Sequence, residues 1–382
     1  MSIQIKEKKQ LGLYEATAII ISGTVGAGVL GIPFVVAKVG LIVGLIYVVL
    51  FGFLMIGLNL LVGEVLSKLK VNLQLVGLAK KYLGRGGEYL MLTLVYFMAF
   101  GVLVVYMIGE GQALAILFGG EAFWWSILFF IIATFLIFVG ISLIKKIEII
   151  TSLGLVLVVI LIVVLNFSHF EVQNLFYVDW KFIFLPYGVL LFAYSGLATI
   201  PEAKSIIKGD KKILKKAIIF AGLINIFIYF LFTFVVVGVT GLNTTEVATI
   251  GLGNKVGPLM LILGNVFAVI AMGNSFILTG LALEDSFIWD FGISKLRSFI
   301  IVFVVPVVLF LFGVRSFIKT IDIIGGVFLS FQMLLVLLIY WRAKQLGDFK
   351  KGQFRLHHTL FLLIILLLTL SVGVIYSILK WF

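Results

Sequence analysis

Two long apolar runs, far apart in the chain, are interrupted in nearly the same way. The first interruption reads Ser22-Gly23-Thr24-Val25-Gly26-Ala27-Gly28-Val29-Leu30-Gly31-Ile32-Pro33, and the second Phe192-Ala193-Tyr194-Ser195-Gly196-Leu197-Ala198-Thr199-Ile200-Pro201-Glu202. Each holds a Gly, three further residues and then Ile-Pro, and Pro33 and Pro201 are two of only 5 prolines. In hydrocarbon, unwound backbone survives only where protein or a polar cavity satisfies its N–H and C=O groups. A matched pair of interrupted helices therefore points to a transport site near the centre of a bilayer.

The runs around these breaks demand a membrane. Of 382 residues, 63% are hydrophobic and 12% charged, against roughly half and a quarter in a soluble domain. Folded in water, such a chain would expose a very large apolar surface. The expected class is an all-α integral membrane protein forming a single domain, 1–382. The absence of Cys excludes disulfides, thiolate metal sites and cysteine nucleophiles. Lys6, Lys8 and Lys9 precede an apolar stretch, as in a signal peptide. The stretch runs on to about Val36 with no small-residue cleavage site, so it reads as a retained first span.

A span needs about 20 apolar residues. Eleven are expected: 14–37, 40–66, 88–118, 123–143, 147–167, 182–206, 214–240, 257–283, 297–313, 319–341 and 359–380. With the N-terminus in the cytoplasm, 23 of the 29 basic residues fall on the cytoplasmic side. The net charge of +12 is thus a topology signal and not a nucleic-acid footprint. The same count leaves the C-terminus outside the cell. The dense run Lys208 to Lys216 could also touch anionic lipid, with a plain positive-inside loop as the default. The breaks fall in the first and sixth spans, five apart, so the two halves would enter the membrane from opposite sides. That is the layout of an inverted repeat: 14–167 and 182–341, with 359–380 as an accessory helix.

A helix broken in mid-membrane presents two free ends. The N-terminal end of its second piece offers unpaired N–H groups and partial positive charge, suited to a carboxylate. The C-terminal end of its first piece offers carbonyls to an ammonium group or a metal cation. An α-amino acid carries both groups on one carbon. The competing reading is close helix packing, since small residues four apart, such as Gly23 and Ala27, also let helices approach. The pairing of two breaks, each followed by Pro, favours a site.

The stretch from Gly23 to Pro33 resembles the first-span signature of the amino acid–polyamine–organocation superfamily. It is most similar to the amino acid/auxin permease and aromatic amino acid permease branches. Phe192-Ala193-Tyr194-Ser195-Gly196 resembles their sixth span. Leu78-Ala79-Lys80-Lys81-Tyr82-Leu83-Gly84 resembles their segment between spans two and three. The resemblance implies the leucine-transporter fold, alternating access and an amino-acid substrate in the cell membrane. It implies that N–H groups around Gly26, Ala27 and Gly28 receive the substrate carboxylate. Carbonyls of Thr24, Phe192, Ala193 and Ser195 would receive the amine, with Tyr194 shaping the pocket and Tyr106 either lining it or packing in the core. It implies no cofactor beyond a coupling ion, Na+ or H+. The matching sodium candidates are the Ser22 and Val25 carbonyls with the hydroxyls of Ser275 and Thr279. Hydroxyls in membrane helices also bond back to their own backbone. A lysine that replaces this sodium in some proton-coupled relatives has no counterpart inside span five. The chain also departs from sodium-coupled neurotransmitter carriers, which have Arg where Gly31 stands.

Acids within spans are functional hypotheses by default. Glu110, Glu202 and Asp322 are gate candidates; all three, with Glu64, are expected near span ends as interfacial or paired groups. A membrane-embedded enzyme is the weaker reading. His169, His357 and His358 lie in or beside loops, and no H-E-x-x-H or G-x-S-x-G motif occurs. The remaining alternative to an amino-acid permease is a nutrient sensor that binds without net flux.

Overall fold

The computed structural model describes residues 2–69, 73–139, 154, 157–207, 212–347, 356 and 359–381. Lys70, Lys145, Lys146, Lys208, Lys211, Lys350, Lys351, Arg355, His357, His358 and most of 147–156 lie outside the described residues. Helices account for nearly all of the described chain, and it contains no strand.

The first span is two helices, α1 (Ser2–Thr24) and α2 (Ala27–Val39), meeting at a 56° bend. Span two is α3 (Leu41–Lys68). Span three is the second part of α4 (Leu75–Phe118), which kinks at Gly84 with φ 73°. That left-handed geometry is one that only glycine adopts without strain. The kink therefore separates the expected segment at 78–84 from the span itself. Spans four and five are α5 (Ala122–Val139) and α6 (Leu157–His169). The sixth is again broken, into α7 (Pro186–Ala193) and α8 (Thr199–Ile206). Span seven is α9 (Lys212–Thr240), followed by a short helix α10 (Ala248–Val256) that carries no apolar run long enough to be read from sequence. Span eight, α11 (Pro258–Phe291), runs about two turns past its expected end before Gly292 stops it. The rest are α12 (Lys295–Leu311), then α13 (Phe317–Ile323) with α14 (Ser330–Gln345), and finally α15 (Thr359–Trp381).

Among the described residues, six helices are long and apolar enough to cross a membrane, and the bent α1–α2 pair makes a seventh. The four other expected spans fall on α5, α6, the α7–α8 pair and α12, which are shorter.

A widened π turn, Ile324–Leu329, joins α13 to α14. Such turns sit where a helix accommodates a close neighbour. Here the neighbour is α7: a Cβ on Gly325 would meet the Gly188 carbonyl at 1.8 Å. Tyr187 of α7 hydrogen-bonds Ser330 (2.8 Å) and donates to the Leu370 carbonyl of α15. Lys380 of α15 pairs with Asp322 of α13 at 2.5 Å. Asp322 thus ties the accessory helix to the bundle. Because its carboxylate is 5% exposed and Lys380 is 29% exposed, removing only the lysine strands a buried charge. Lys380→Met should therefore destabilise the protein by about 3 kcal/mol, and more than Asp322→Asn does. Equal shifts in unfolding midpoint in detergent would show that the pair is not the tie. At the other end of α3, Glu64 accepts from Tyr340 (2.8 Å) and from the Leu356 backbone N–H (3.2 Å). It is paired and buried, not interfacial.

Candidate functional site

The two interruptions face each other. At Gly28, in the first turn of α2, a Cβ would lie 2.4 Å from Cα of Ala193, the last residue of α7. At Gly196 it would lie 2.4 Å from Oγ1 of Thr24, the last residue of α1, and at Gly23 it would strike Cγ2 of Thr199, the first of α8. The small residues therefore do bring helices into close approach, and what they bring together is the pair of free ends.

Both kinds of end are present. The α1 ladder closes with Val25 N–H bonding Ile21 O (2.8 Å), and Gly26 follows with φ −140° and no side-chain cap. The N–H groups of Ala27 and Gly28 occupy the first turn of α2, where no preceding helical carbonyl can reach them. At the opposite polarity, Thr24 and Ala193 close their helices with outward-facing carbonyls. Those two carbonyls converge on one donor: the hydroxyl of Tyr229 on α9 lies 3.1 Å from Thr24 O and 2.7 Å from Ala193 O. Tyr229 is fully buried, and its ring packs on that of Tyr194 at 4.8 Å. Tyr229 belongs to no recognised motif. The available signal was a hydroxyl one turn after Asn225 within an otherwise apolar run.

Tyr194 donates to the Val48 carbonyl of α3 at 2.9 Å. With Thr24, Asn59, Asn225, Gly52 and Gly222 it lines a small hollow of about 10 Å³ between α1, α3, α7 and α9. The side-chain carbonyl oxygens of Asn59 and Asn225 are buried there with no partner among the described residues. Of the expected substrate contacts, Thr24 and Tyr194 reach this hollow. Phe192 and Ala193 are buried at the end of α7, and the turn at Ser195 bonds back to Phe192 O (3.1 Å).

Tyr106 of α4 reaches the first break. A Cβ on Gly26 would lie 2.9 Å from the Tyr106 hydroxyl and 3.1 Å from Ser275 Oγ of α11. Ser275 and Thr279, expected to face a sodium ion, lie beside that phenol. Ser22 Oγ bonds back to the Ile19 carbonyl at 3.3 Å, and Val25 is buried in the break. Glu202 sits exposed in the first turn of α8, where a negative charge complements the helix dipole. Glu110, expected near a span end as an interfacial or paired group, is neither among the described residues. It has no exposed surface, and both carboxyl oxygens lack a hydrogen-bond partner among the described residues.

Residues 9–377 match the model of the tryptophan/tyrosine permease family. A curated relative, glutamine transporter 2 of Aliivibrio fischeri, is 23% identical over 351 residues, covering 86% of this chain and 89% of that protein. The fold matches MhsT, solved in complex with L-phenylalanine, with TM-score 0.72 at 17% identity over 97% of this chain and 98% of that one. It also matches the manganese transporter of Eremococcus coleocola, solved with an aromatic bis-isothiourea compound, with TM-score 0.67 at 13% identity over 97% and 86% of the two chains. These neighbours give this chain the leucine-transporter fold.

Proposed function

The chain belongs to the tryptophan/tyrosine permease family, and from that premise we propose that it carries neutral L-α-amino acids across the cytoplasmic membrane by alternating access. One observation carries the reading. The carbonyl ends of both broken spans converge on a single point, while the amide end of α2 opens beside them. A zwitterion needs acceptors for its ammonium and donors for its carboxylate a few ångströms apart, and main-chain groups supply both without placing a charged side chain in lipid.

The substrate class has two further supports. A curated relative is a glutamine transporter and a solved neighbour was crystallised with L-phenylalanine. Both molecules share the neutral α-amino acid head. Thr24, Gly26, Ala27, Gly28, Phe192, Ala193 and Ser195 hold that head, and Tyr106 and Tyr194 border it. The drive is a sodium or proton gradient. The N-terminus lies in the cytoplasm, a reading that the distribution of basic residues supports.

The test is uptake of radiolabelled L-tryptophan, L-tyrosine, L-phenylalanine and L-glutamine into proteoliposomes, with and without each gradient. Concentrative uptake of at least one is expected. Binding of one of them with no flux under any gradient would make the protein a sensor and overturn the proposal.

A further inference from the structure

The carboxyl of Glu110 is a fully buried ionisable group that the amino-acid cradle leaves unused. It lies four residues beyond Tyr106 on α4, one helical turn along the same face, and so one turn from the phenol that touches the Gly26 break. Its surroundings are built to exclude water. The flanking glycines let neighbours close in on both sides. A Cβ on Gly109 would strike Met272 of α11, and one on Gly111 would strike Ser126 of α5. Gly273 of α11 brings its backbone against the carboxyl, with Oε1 of Glu110 at 3.1 Å and the Phe129 ring at 3.7 Å from a Cβ placed there.

No cation among the described residues compensates it. Among the described residues, neither oxygen has a hydrogen-bond partner and no basic side chain forms a salt bridge with it. The ionisable groups on the elements packed against α4 are committed or distant. α5 carries none. On α11 the acids Glu284, Asp285 and Asp290 begin 11 residues beyond Gly273, about 16 Å along the axis. α12 has only Lys295 and Arg297 in its first turn, and Arg315, just beyond it, lies over the rings of Phe123 and Phe310. On α13, Asp322 is paired with Lys380, and Lys319 is exposed. Lys38 closes α2 over the Phe34 ring, and Arg342 and Lys344 end α14. The π turn holds no charge.

A buried, unpaired carboxylate is expensive enough that such a group takes up a proton instead. We propose that Glu110 is the proton-carrying residue of this transporter, taking one proton from the side that supplies the amino acid and releasing it on the other. The step is an acid–base equilibrium alone: a carboxylate oxygen gains H+ from water on one side and returns it to water on the other. The proposal rests on the amino-acid transport reading above.

The test uses the full-length protein in proteoliposomes and whichever of the four radiolabelled amino acids exchanges fastest. At one proton per substrate, an inside-alkaline gradient of one pH unit should raise steady-state accumulation up to about tenfold. Glu110→Gln should keep exchange between equal substrate pools within about twofold of wild type and lose the response to the gradient. Continued gradient-driven accumulation by Glu110→Gln overturns the proposal. So does a wild type that exchanges amino acid with no response to pH, an outcome that leaves the transport reading intact. Absence of exchange in wild type would instead sink the transport reading. If Glu110→Gln does not fold, the wild type still decides. Dicyclohexylcarbodiimide, which modifies protonated carboxyls in apolar surroundings, should label Glu110 in peptide mass spectra, with loss of gradient-driven uptake and retention of exchange. Labelled protein that still accumulates substrate would contradict the assignment, as would an unlabelled Glu110.

Discussion

Alanine at Gly28 is expected to stop transport. The added Cβ would sit 2.4 Å from Cα and 3.1 Å from N of Ala193. These are backbone atoms at the end of a helix, so no rotamer change relieves the clash. α2 must shift away from α7, and overpacking of this kind costs about 1–3 kcal/mol. The functional effect should exceed the stability effect. Moving the amide end away from the carbonyl ends by about an ångström separates the groups that must hold one small molecule, and misplacement on that scale reduces rates by about a hundredfold. Gly28→Ala should therefore fold, reach the membrane and take up amino acid at about 1% of the wild-type rate. The control is Gly12→Ala in α1, where a Cβ meets nothing within 4 Å. It should transport normally and gain about 0.5–1 kcal/mol of helix stability. Wild-type uptake by Gly28→Ala would mean that the contact between the two breaks is incidental.

Removing the hydroxyl of Tyr229 should have the second largest effect, and its dependence on substrate is the informative part. Tyr229→Phe keeps the ring and its packing on Tyr194 but leaves the carbonyls of Thr24 and Ala193 without their shared donor. Buried acceptors deprived of a partner cost about 1–3 kcal/mol. The variant without ligand should unfold at a temperature several degrees below wild type in the same detergent. If the substrate ammonium takes these same carbonyls, saturating amino acid should bring the two midpoints closer. A constant gap with and without ligand would show that the ammonium binds elsewhere.

Much of this arrangement could be read from the chain itself because lipid leaves few options. Runs such as 40–66 and 214–240 had to be helices, and α3 and α9 fall within about two residues of them. The breaks at Gly26 and Ser195 were legible because glycine, an Ile-Pro pair and apolar flanks occur in both. What could not be read was set by packing. The π turn at Ile324–Leu329 exists because Gly325 presses on Gly188, 137 residues away in sequence. Tyr229 serves both breaks from a helix whose local sequence looks like any other span. Counting along its apolar run puts Glu110 near a span end, as an interfacial or paired group. Its true setting comes from Gly109, Gly111 and Gly273, which let α5 and α11 close over it. Sequence gives composition along one helix, whereas burial of a charge is decided by the helices around it.

The most direct measurement is an electron-microscopy map of the protein in lipid with the fastest-transported of the four amino acids bound. The density should place the carboxylate at the amides of Ala27 and Gly28 and the ammonium at the carbonyls of Thr24 and Ala193, where the Tyr229 hydroxyl now lies. An amino acid lodged instead in the hollow between Asn59 and Asn225, with both broken ends bonded only to protein, would contradict the account.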